Sequence, residues 1–109
     1  MNIFFENEKL RQICENDAQM KKKLGTKAAK KLKRRLADLM AADSVTDLVA
    51  GRPHPLKQDR LGQFALDLDG GKRLIFEAAH EPIPLTADDA IDWSKVKNIR
   101  IVEIGDYHD

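Results

Sequence analysis

Residues 63–78 place the strongest constraint on the fold, because they predict a β-hairpin. Apolar residues occupy every second position of residues 64–68, which is the period of a half-buried strand. Gly70-Gly71 is a two-residue turn signal, and the run KRLIFEA that follows it predicts a partner strand buried on both faces. A chain with this hairpin is expected to contain an antiparallel sheet.

Residues 8–40 predict two helices joined by a short turn. Apolar residues recur at helical spacing in residues 8–23, where Asn16-Asp17 interrupts them, and more regularly afterwards. Gly25 is expected to end the first helix, and Thr26 is the expected N-cap of the second. The second apolar stripe consists of Leu24, Ala28, Leu32, Leu36, Leu39 and Met40. The other faces of the second helix are basic. The two helices therefore predict a helical hairpin with one apolar and one basic side.

Two further strands complete the predicted order. Ile3-Phe4-Phe5 predicts an N-terminal strand, and residues 96–105 predict a last strand rich in β-branched residues. Residues 81–95 contain two prolines, four acids and Trp93, and predict a long connection with a turn of helix. The prediction is an α+β fold of order β-α-α-β-β-β, with the two helices packed on a mostly antiparallel sheet. The 109 residues, without repeats or a linker, predict one domain over 1–109.

Composition limits the class of protein. Apolar residues make up 42% and charged residues 34%, which excludes collagen-like, disulfide-scaffold and wholly disordered chains. The single cysteine, Cys14, forms no internal disulfide, fits a reducing compartment and lies on an apolar helix stripe, where a core position is expected. No apolar run approaches the roughly 20 residues of a membrane span, and the N-terminus lacks a signal-peptide pattern. We therefore expect a soluble cytoplasmic protein with no membrane partner.

Charge is distributed unevenly along the chain. Residues 1–35 contain 11 Lys/Arg and 4 Asp/Glu, a formal charge of +7, whereas residues 36–109 contain 8 and 14, a charge of −6. The basic half predicts a local positive surface for an anionic partner, and the alternative is a solvated helix face without a partner. The net charge of +1 argues against sequence-blind nucleic-acid adhesion by the whole molecule.

Two histidines are candidates for chemistry. His54 lies between two prolines, which restrict its backbone, and His108 follows Asp106 and Tyr107 near the C-terminus. A carboxylate, a phenol and an imidazole together offer proton donors and acceptors near neutral pH. The alternative is a polar C-terminus without a function.

Other polar residues have simpler interpretations. Arg73 lies on a strand among apolar neighbours, and it faces either a cleft or a cross-strand acid, Asp67 or Asp69. His80 is expected in an exposed loop. His54, His108 and Asp106 have no metal-ligand spacing, so no metal and no cofactor are expected.

These residues combine into a recognisable pattern. Residues 54–64 read HPLKQDRLGQF and resemble the signature HPLKGDRxGxW/F of HigB-like toxins. Residues 72–76 are similar to the strand motif xRIxF of these toxins, and Asp106-Tyr107-His108 is similar to their C-terminal end. HigB-like toxins belong to the RelE/ParE superfamily of bacterial type II toxin–antitoxin systems, and the predicted order of elements is similar to that fold.

The resemblance implies a ribosome-dependent mRNA endoribonuclease that works by metal-free acid–base cleavage. It implies the ribosome, mRNA and a HigA-like helix-turn-helix antitoxin as partners. It leaves open which of the two histidines is the base and which the acid. The implied active-site residues are His54, Arg73, Asp106, Tyr107 and His108. The implied RNA-binding residues are Lys57 and Arg60 near the active site, and Lys27, Lys30, Lys31 and Arg34 on the basic helix.

Three departures and two alternatives accompany this resemblance. Gln58 occupies a glycine position of the signature, which predicts a differently shaped loop after Lys57, and the connection 81–95 is long and acidic. The net charge is also lower than is common in such toxins. One alternative is a non-nuclease toxin, such as a ParE-like inhibitor of DNA gyrase. The other is a catalytically decayed member that regulates its toxin–antitoxin complex.

Overall fold

The elements of the fold follow the predicted order with two additions. The computed structural model describes residues 1–106, and it confirms the α+β class. The strands in this range are β1 (Asn2–Phe5), β2 (His54–Pro55), β3 (Gln63–Asp67), β4 (Lys72–Ala78) and β5 (Asn98–Asp106). The helices are α1 (Glu8–Glu15), α2 (Asp17–Leu24) and α3 (Thr26–Ala41). The additions are the short strand β2 and a third helix.

The sheet is mixed, with the strand order β1-β5-β4-β3-β2. The pair β1–β5 is parallel and the other three pairs are antiparallel. The predicted hairpin of β3 and β4 is confirmed, and the Leu68 N–H donates to the Lys72 carbonyl across its turn at 2.8 Å. Strand β2, which the sequence indicated only as an extended segment, pairs His54 with Ala65 at the edge of the sheet.

The first predicted helix is two helices because Asn16 caps both of them. Its backbone N–H donates to the Gln12 carbonyl at the end of α1, at 2.9 Å. Its side-chain oxygen accepts from the Gln19 N–H at the start of α2, at 3.0 Å. The predicted cap of α3 is wrong, since Gly25 is the N-cap, with φ +82°, and Thr26 is the first helical residue.

The main core lies between the helices and one face of the sheet. Leu66, Leu74 and Phe76 of the sheet and Leu32 and Leu39 of α3 are fully buried in it. The predicted stripe of α3 extends one residue too far, because Met40 is 69% exposed. Among residues 1–106, no helix has the length and apolar composition that crossing a bilayer requires.

The connection between β4 and β5 covers a part of the same face. Trp93, at the start of a short 3₁₀ turn, packs against Phe64 at a centroid distance of 4.9 Å and against Phe76 at 6.5 Å. The predicted turn of helix in this segment is therefore confirmed as a 3₁₀ turn. Its aromatic side chain extends the core beyond the helices.

Within residues 1–106, no helix packs on the opposite side of the sheet, which we call the open face. Successive side chains of a strand point to opposite sides, so residues next to the buried Leu66 and Leu74 belong to the open face. A small separate cluster of Leu56, Ala65 and Ile75 lies there. Charged side chains surround this cluster.

Candidate functional site

The open face brings together three side chains at one end of the sheet. Asp67 ends β3 and is paired with Arg73 near the start of β4, while His54 on β2 is paired with Ala65. Paired residues of antiparallel strands share a face, and so do residues two apart on one strand. His54, Asp67 and Arg73 therefore lie on the same side of the sheet, as residues of one site must.

The imidazole of His54 has a defined proton arrangement. Its Nδ1 lies 2.7 Å from the Arg52 carbonyl oxygen. Because a carbonyl only accepts hydrogen bonds, Nδ1 carries a proton and donates it. In the neutral ring, the lone pair is then on Nε2. His54 is partly exposed, so Nε2 is chemically suited to accept a proton from a substrate.

The segment before His54 holds this carbonyl in place. Arg52 has a φ of +49°, which lies in the left-handed region that residues other than glycine rarely adopt. Gly51, with φ +84°, precedes it, and the Gly51 carbonyl accepts from the Asp67 N–H at 2.6 Å. A Cβ on Gly51 would lie 2.9 Å from the Arg35 side chain. The left-handed turn thus anchors the His54 segment to the end of β3.

Asp67 links two arginines of this site. Its Oδ2 accepts from Arg52 Nε at 2.8 Å, and its Oδ1 lies 3.2 Å from Arg73 Nε. Arg73 therefore forms one of the two expected cross-strand pairs, the one with Asp67. Partial burial raises the pKa of Asp67, but the Arg52 hydrogen bond and the charges of Arg52, Arg73 and His54 outweigh it and lower the pKa below 3.8. The carboxylate is therefore ionised at neutral pH.

The loop after His54 has an uncommon backbone at the position where the sequence departs from the toxin signature. Gln58 has a φ of +55°, in the left-handed region that favours glycine. Glycine adopts this conformation readily, and the different loop shape expected at this position stays a prediction. Lys57, which precedes it, is exposed and forms no ion pair within residues 1–106.

Arg60 lies on the open face, where its contacts include two residues of the sheet. Its Nη2 donates to Glu103 of β5 at 2.6 Å, and its Nη1 donates to Gln63 of β3 at 3.0 Å. The side chain is 29% exposed. The structure thus places this predicted RNA-binding residue in an ion pair that spans three strands.

Asp106 lies apart from His54 and Arg73. It is paired with Lys72, and its carboxylate is 4.0 Å from Lys72 Nζ. Lys72 and Arg73 are adjacent on β4 and point to opposite sides of the sheet, so Asp106 lies on the side away from the open face. The predicted residues Tyr107 and His108 are outside the described residues.

The four basic helix residues form one exposed surface, which we call the basic stripe: Lys27, Lys30, Lys31 and Arg34. Their spacing of three and four places them on one side of α3, opposite the buried Leu32. None of the four forms an ion pair with any residue of the range 1–106. Because the buried side of α3 packs on the sheet, the stripe faces away from the site at His54.

The two basic residues of α3 outside the stripe, Lys33 and Arg35, each contact an acid. Asp17 of α2 forms ion pairs with Lys33 and with Lys21, the latter at 3.2 Å. The hydrogen bond from Lys33, followed by that from Lys21, lowers the pKa of Asp17 below its usual value. The excess positive charge of α3 is therefore concentrated on the basic stripe.

Two other candidate groups have structural environments. The prediction of an exposed His80 is wrong, because it is partly buried and its Nε2 accepts from the backbone N–H groups of Lys97 and Asn98, at 2.9 and 3.1 Å.

Burial, with a smaller effect of the Glu15 charge, raises the pKa of the Cys14 thiol to about 12. Cys14 packs against the core as expected, and a neutral thiol of this kind is a poor nucleophile. In the described range, no three His, Cys, Asp or Glu side chains are placed to hold a metal ion.

The sequence did not identify Arg52 as a part of this site, and it treated Asp67 only as an ion-pair partner. The hairpin register places Asp67 opposite Arg73, which is a signal present in the sequence. No comparable signal exists for Arg52, because its contribution depends on a left-handed backbone and on pairing at the sheet edge.

Comparisons with known proteins show a shared fold at low sequence identity. Neither the known protein-family models nor the curated proteins include a match. A YoeB/ParE toxin from Agrobacterium tumefaciens superimposes with a TM-score of 0.61 at 9% identity, over 99% of this chain and 100% of that one. A YoeB–YefM complex from Staphylococcus aureus gives 0.60 at 16% identity, over 100% and 98%. The YoeB dimer from Staphylococcus aureus gives 0.58 at 18% identity, over 100% and 98%. At these identities the chain shares the α+β fold of these toxins.

Proposed function

We propose that this chain is the toxin of a type II toxin–antitoxin system and that it cleaves mRNA on the ribosome without a metal ion. The observation that carries the proposal is the open-face site. There, His54, whose unprotonated Nε2 carries the lone pair, lies on the same side of the sheet as Arg73. The fold shared with YoeB toxins supports the toxin assignment, and the HigB-like signature supports the reaction.

The chemistry of RNA cleavage fits these groups. The Nε2 of His54 takes the proton of a ribose 2′-hydroxyl, and the 2′-oxygen attacks the adjacent phosphorus. The P–O5′ bond breaks, leaving a 2′,3′-cyclic phosphate, and the 5′-oxygen receives a proton from a general acid. We propose His108 or Tyr107 for that acid, on the resemblance alone.

Cations stabilise the charge that develops on the phosphate. Arg73 lies on the same side of the sheet as His54, Lys57 follows His54 by three residues in the chain, and a guanidinium binds two phosphate oxygens at once. Arg60 and Asp106 were also expected at the site. Their ion pairs with Glu103 and Lys72 favour positioning roles over direct contact with RNA.

The basic stripe supports a large RNA partner. It faces away from His54, so a short message cannot contact both surfaces, whereas ribosomal RNA that encloses the protein can. We propose that Lys27, Lys30, Lys31 and Arg34 contact phosphates of ribosomal RNA. An antitoxin partner is proposed by analogy with the YoeB–YefM complex, and its HigA-like type rests on the signature. Such a system operates in the cytoplasm.

The test is expression of the chain from a tightly repressed promoter, with growth and the 5′ ends of a reporter message followed together. We expect growth arrest with new cuts inside translated codons. His54→Gln should lower the cleavage rate by about 10²- to 10⁴-fold, because it removes the proton acceptor. His108→Ala should also abolish the cuts if His108 supplies the acid.

The matched control is His80→Gln, the same substitution at a histidine whose Nε2 accepts from two backbone N–H groups. The amide oxygen of glutamine still accepts hydrogen bonds, although it cannot take up a proton as a base. The backbone contacts at position 80 are therefore kept, and cleavage per folded molecule should persist. Arrest with intact messages, unchanged by His54→Gln, would contradict the nuclease and direct the search to DNA gyrase. An absence of arrest would indicate a decayed or regulatory protein.

A further inference from the structure

Arg52 and Arg73 form a paired cationic site that the sequence motifs do not assign. Arg52 comes from the turn before β2 and Arg73 from β4, yet both reach one carboxylate, Asp67. The Asp67 oxygens lie 2.8 Å and 3.4 Å from Arg52 Nε and Nη2, and 3.2 Å from Arg73 Nε. Two guanidinium groups that converge on one pair of oxygens have the arrangement that binds a phosphate group.

The site is accessible and adjoins His54. The Arg52 side chain is 62% exposed, whereas those of Arg73 and Asp67 are 24% and 33% exposed. The carbonyl of Arg52 also accepts the His54 Nδ1 proton, so this residue contacts both the base and the anion site. A left-handed backbone at a non-glycine residue costs free energy, and such strain is common where a residue is held for function.

We propose that Asp67 occupies the guanidinium groups of Arg52 and Arg73 in the free protein as a substitute for phosphate. An RNA phosphodiester, or a free phosphate, binds by displacing the carboxylate from Arg52, while the Arg73 guanidinium keeps its position. The identification of the bound phosphate as part of an RNA rests on the proposed function. Asp67 then lowers the affinity for phosphate and keeps the two arginines positioned when RNA is absent.

The test measures binding rather than cleavage. The probes are a trinucleotide with 2′-O-methyl groups, which lacks the attacking hydroxyl, and inorganic phosphate. Asp67→Asn should bind the trinucleotide about fivefold tighter than the wild type, because it removes the competing carboxylate but keeps the size of the side chain. The variant Asp67→Asn/Arg52→Gln should lose this gain, because it lacks the guanidinium that was released.

The matched control is Glu77→Gln. Glu77 accepts from Arg100 Nη1 at 2.6 Å on the same face and is comparably exposed, at 34%, but it is not part of the site at His54. It should change binding by less than about twofold, since salt screens a remote charge. An equal gain in both variants, or unchanged or weaker binding of both probes in Asp67→Asn, would overturn the proposal.

A measurement on the wild type covers the case in which Asp67→Asn does not fold. The side-chain Hε signals of Arg52 and Arg73 should both shift when the trinucleotide is titrated, and a shift of neither would overturn the proposal. Tighter binding of inorganic phosphate without tighter binding of the trinucleotide would limit the site to free phosphate. Tighter RNA binding in Asp67→Asn together with intact messages in cells would contradict the proposed function and leave this inference standing.

Discussion

The basic stripe of α3 and the arginines of the open face are two cationic surfaces with opposite designs. The stripe consists mainly of exposed lysines with no ion pair among residues 1–106, whereas Arg52, Arg60, Arg73 and Arg100 of the open face each contact a carboxylate. Unpaired lysines attract any polyanion over a distance, and their flexible side chains fix no geometry. Paired arginines are held in position before a ligand arrives. The first surface is suited to capture and the second to chemistry.

The largest effect should come from removing the charge of the stripe. Lys27, Lys30, Lys31 and Arg34 all changed to Gln should weaken ribosome binding about 10- to 100-fold at 0.1 M salt. The slope of log affinity against log salt should fall by about 3, because each lost phosphate contact no longer releases a counterion. Sedimentation with ribosomes over a salt series measures both quantities.

The control for this prediction is the double variant Lys21→Gln/Lys33→Gln. These two lysines share the single carboxylate of Asp17, so one of their two positive charges is already compensated and the slope should change by less than half as much as in the fourfold variant. The same loss per removed charge in both variants would mean that net charge, rather than the stripe, governs binding.

The contrast between the two surfaces was only partly visible in the sequence. The stripe follows from the spacing of Lys27–Arg34 against Leu32, because helical period alone decides which side each residue faces. The Gly-Gly hairpin likewise fixed the register that joins Arg73 to Asp67, although Asp69 was an equal candidate. The role of Asn16 was missed, because one asparagine caps two helices where the pattern showed only an interruption.

The position of Arg52 depends on tertiary structure and was not predictable. Its left-handed φ, the edge pairing of His54 and the anchoring of Gly51 to Asp67 are set by contacts between segments about 15 residues apart. Similarly, the connection around Trp93 contributes to the core through aromatic contacts that its acidic composition conceals.

On the open face, the pair between Arg60 and Glu103 should contribute most to stability. Glu103→Gln should lower the free energy of unfolding by about 1 kcal/mol, because it weakens a partly buried pair at 2.6 Å that spans three strands. Thermal unfolding should show a fall of about 4 °C. Lys33→Gln on the helices should cost less, because its pair with Asp17 is exposed to solvent. Equal losses in the two variants would contradict the distinction between positioned and flexible cations.

A smaller change in the free energy of unfolding, this time a gain, is expected at Gln58. Gln58→Gly should raise stability by about 0.5 kcal/mol, because glycine adopts the φ of +55° without steric cost, while its larger unfolded-state entropy offsets part of that gain. Asp59→Gly, one residue along the same 3₁₀ turn and outside the left-handed region, should lower stability instead. Chemical denaturation measures both variants, and a loss in Gln58→Gly would mean that its side chain makes a contact that outweighs the strain.

The smallest effect concerns acid stability at Asp67. Partial burial raises its pKa, but the Arg52 hydrogen bond and the neighbouring charges lower it below 3.8. Because the folded pKa is depressed, the stabilisation is present above the unfolded pKa and is lost as the pH falls through the folded one. With solvent screening, the loss below about pH 4 should be less than about 0.5 kcal/mol.

Carboxyl NMR titration separates the arginine contributions. Arg52→Gln should move the Asp67 midpoint upward, since Arg52 provides both the hydrogen bond and the largest favourable charge. Lys33→Gln should raise the midpoint of Asp17 in the same way, because the Lys33 hydrogen bond is the main cause of its lowered pKa. The two sites should differ in salt dependence. If 1 M salt restored both midpoints equally, the pair at Asp67 would be no better positioned than the lysine pairs at Asp17.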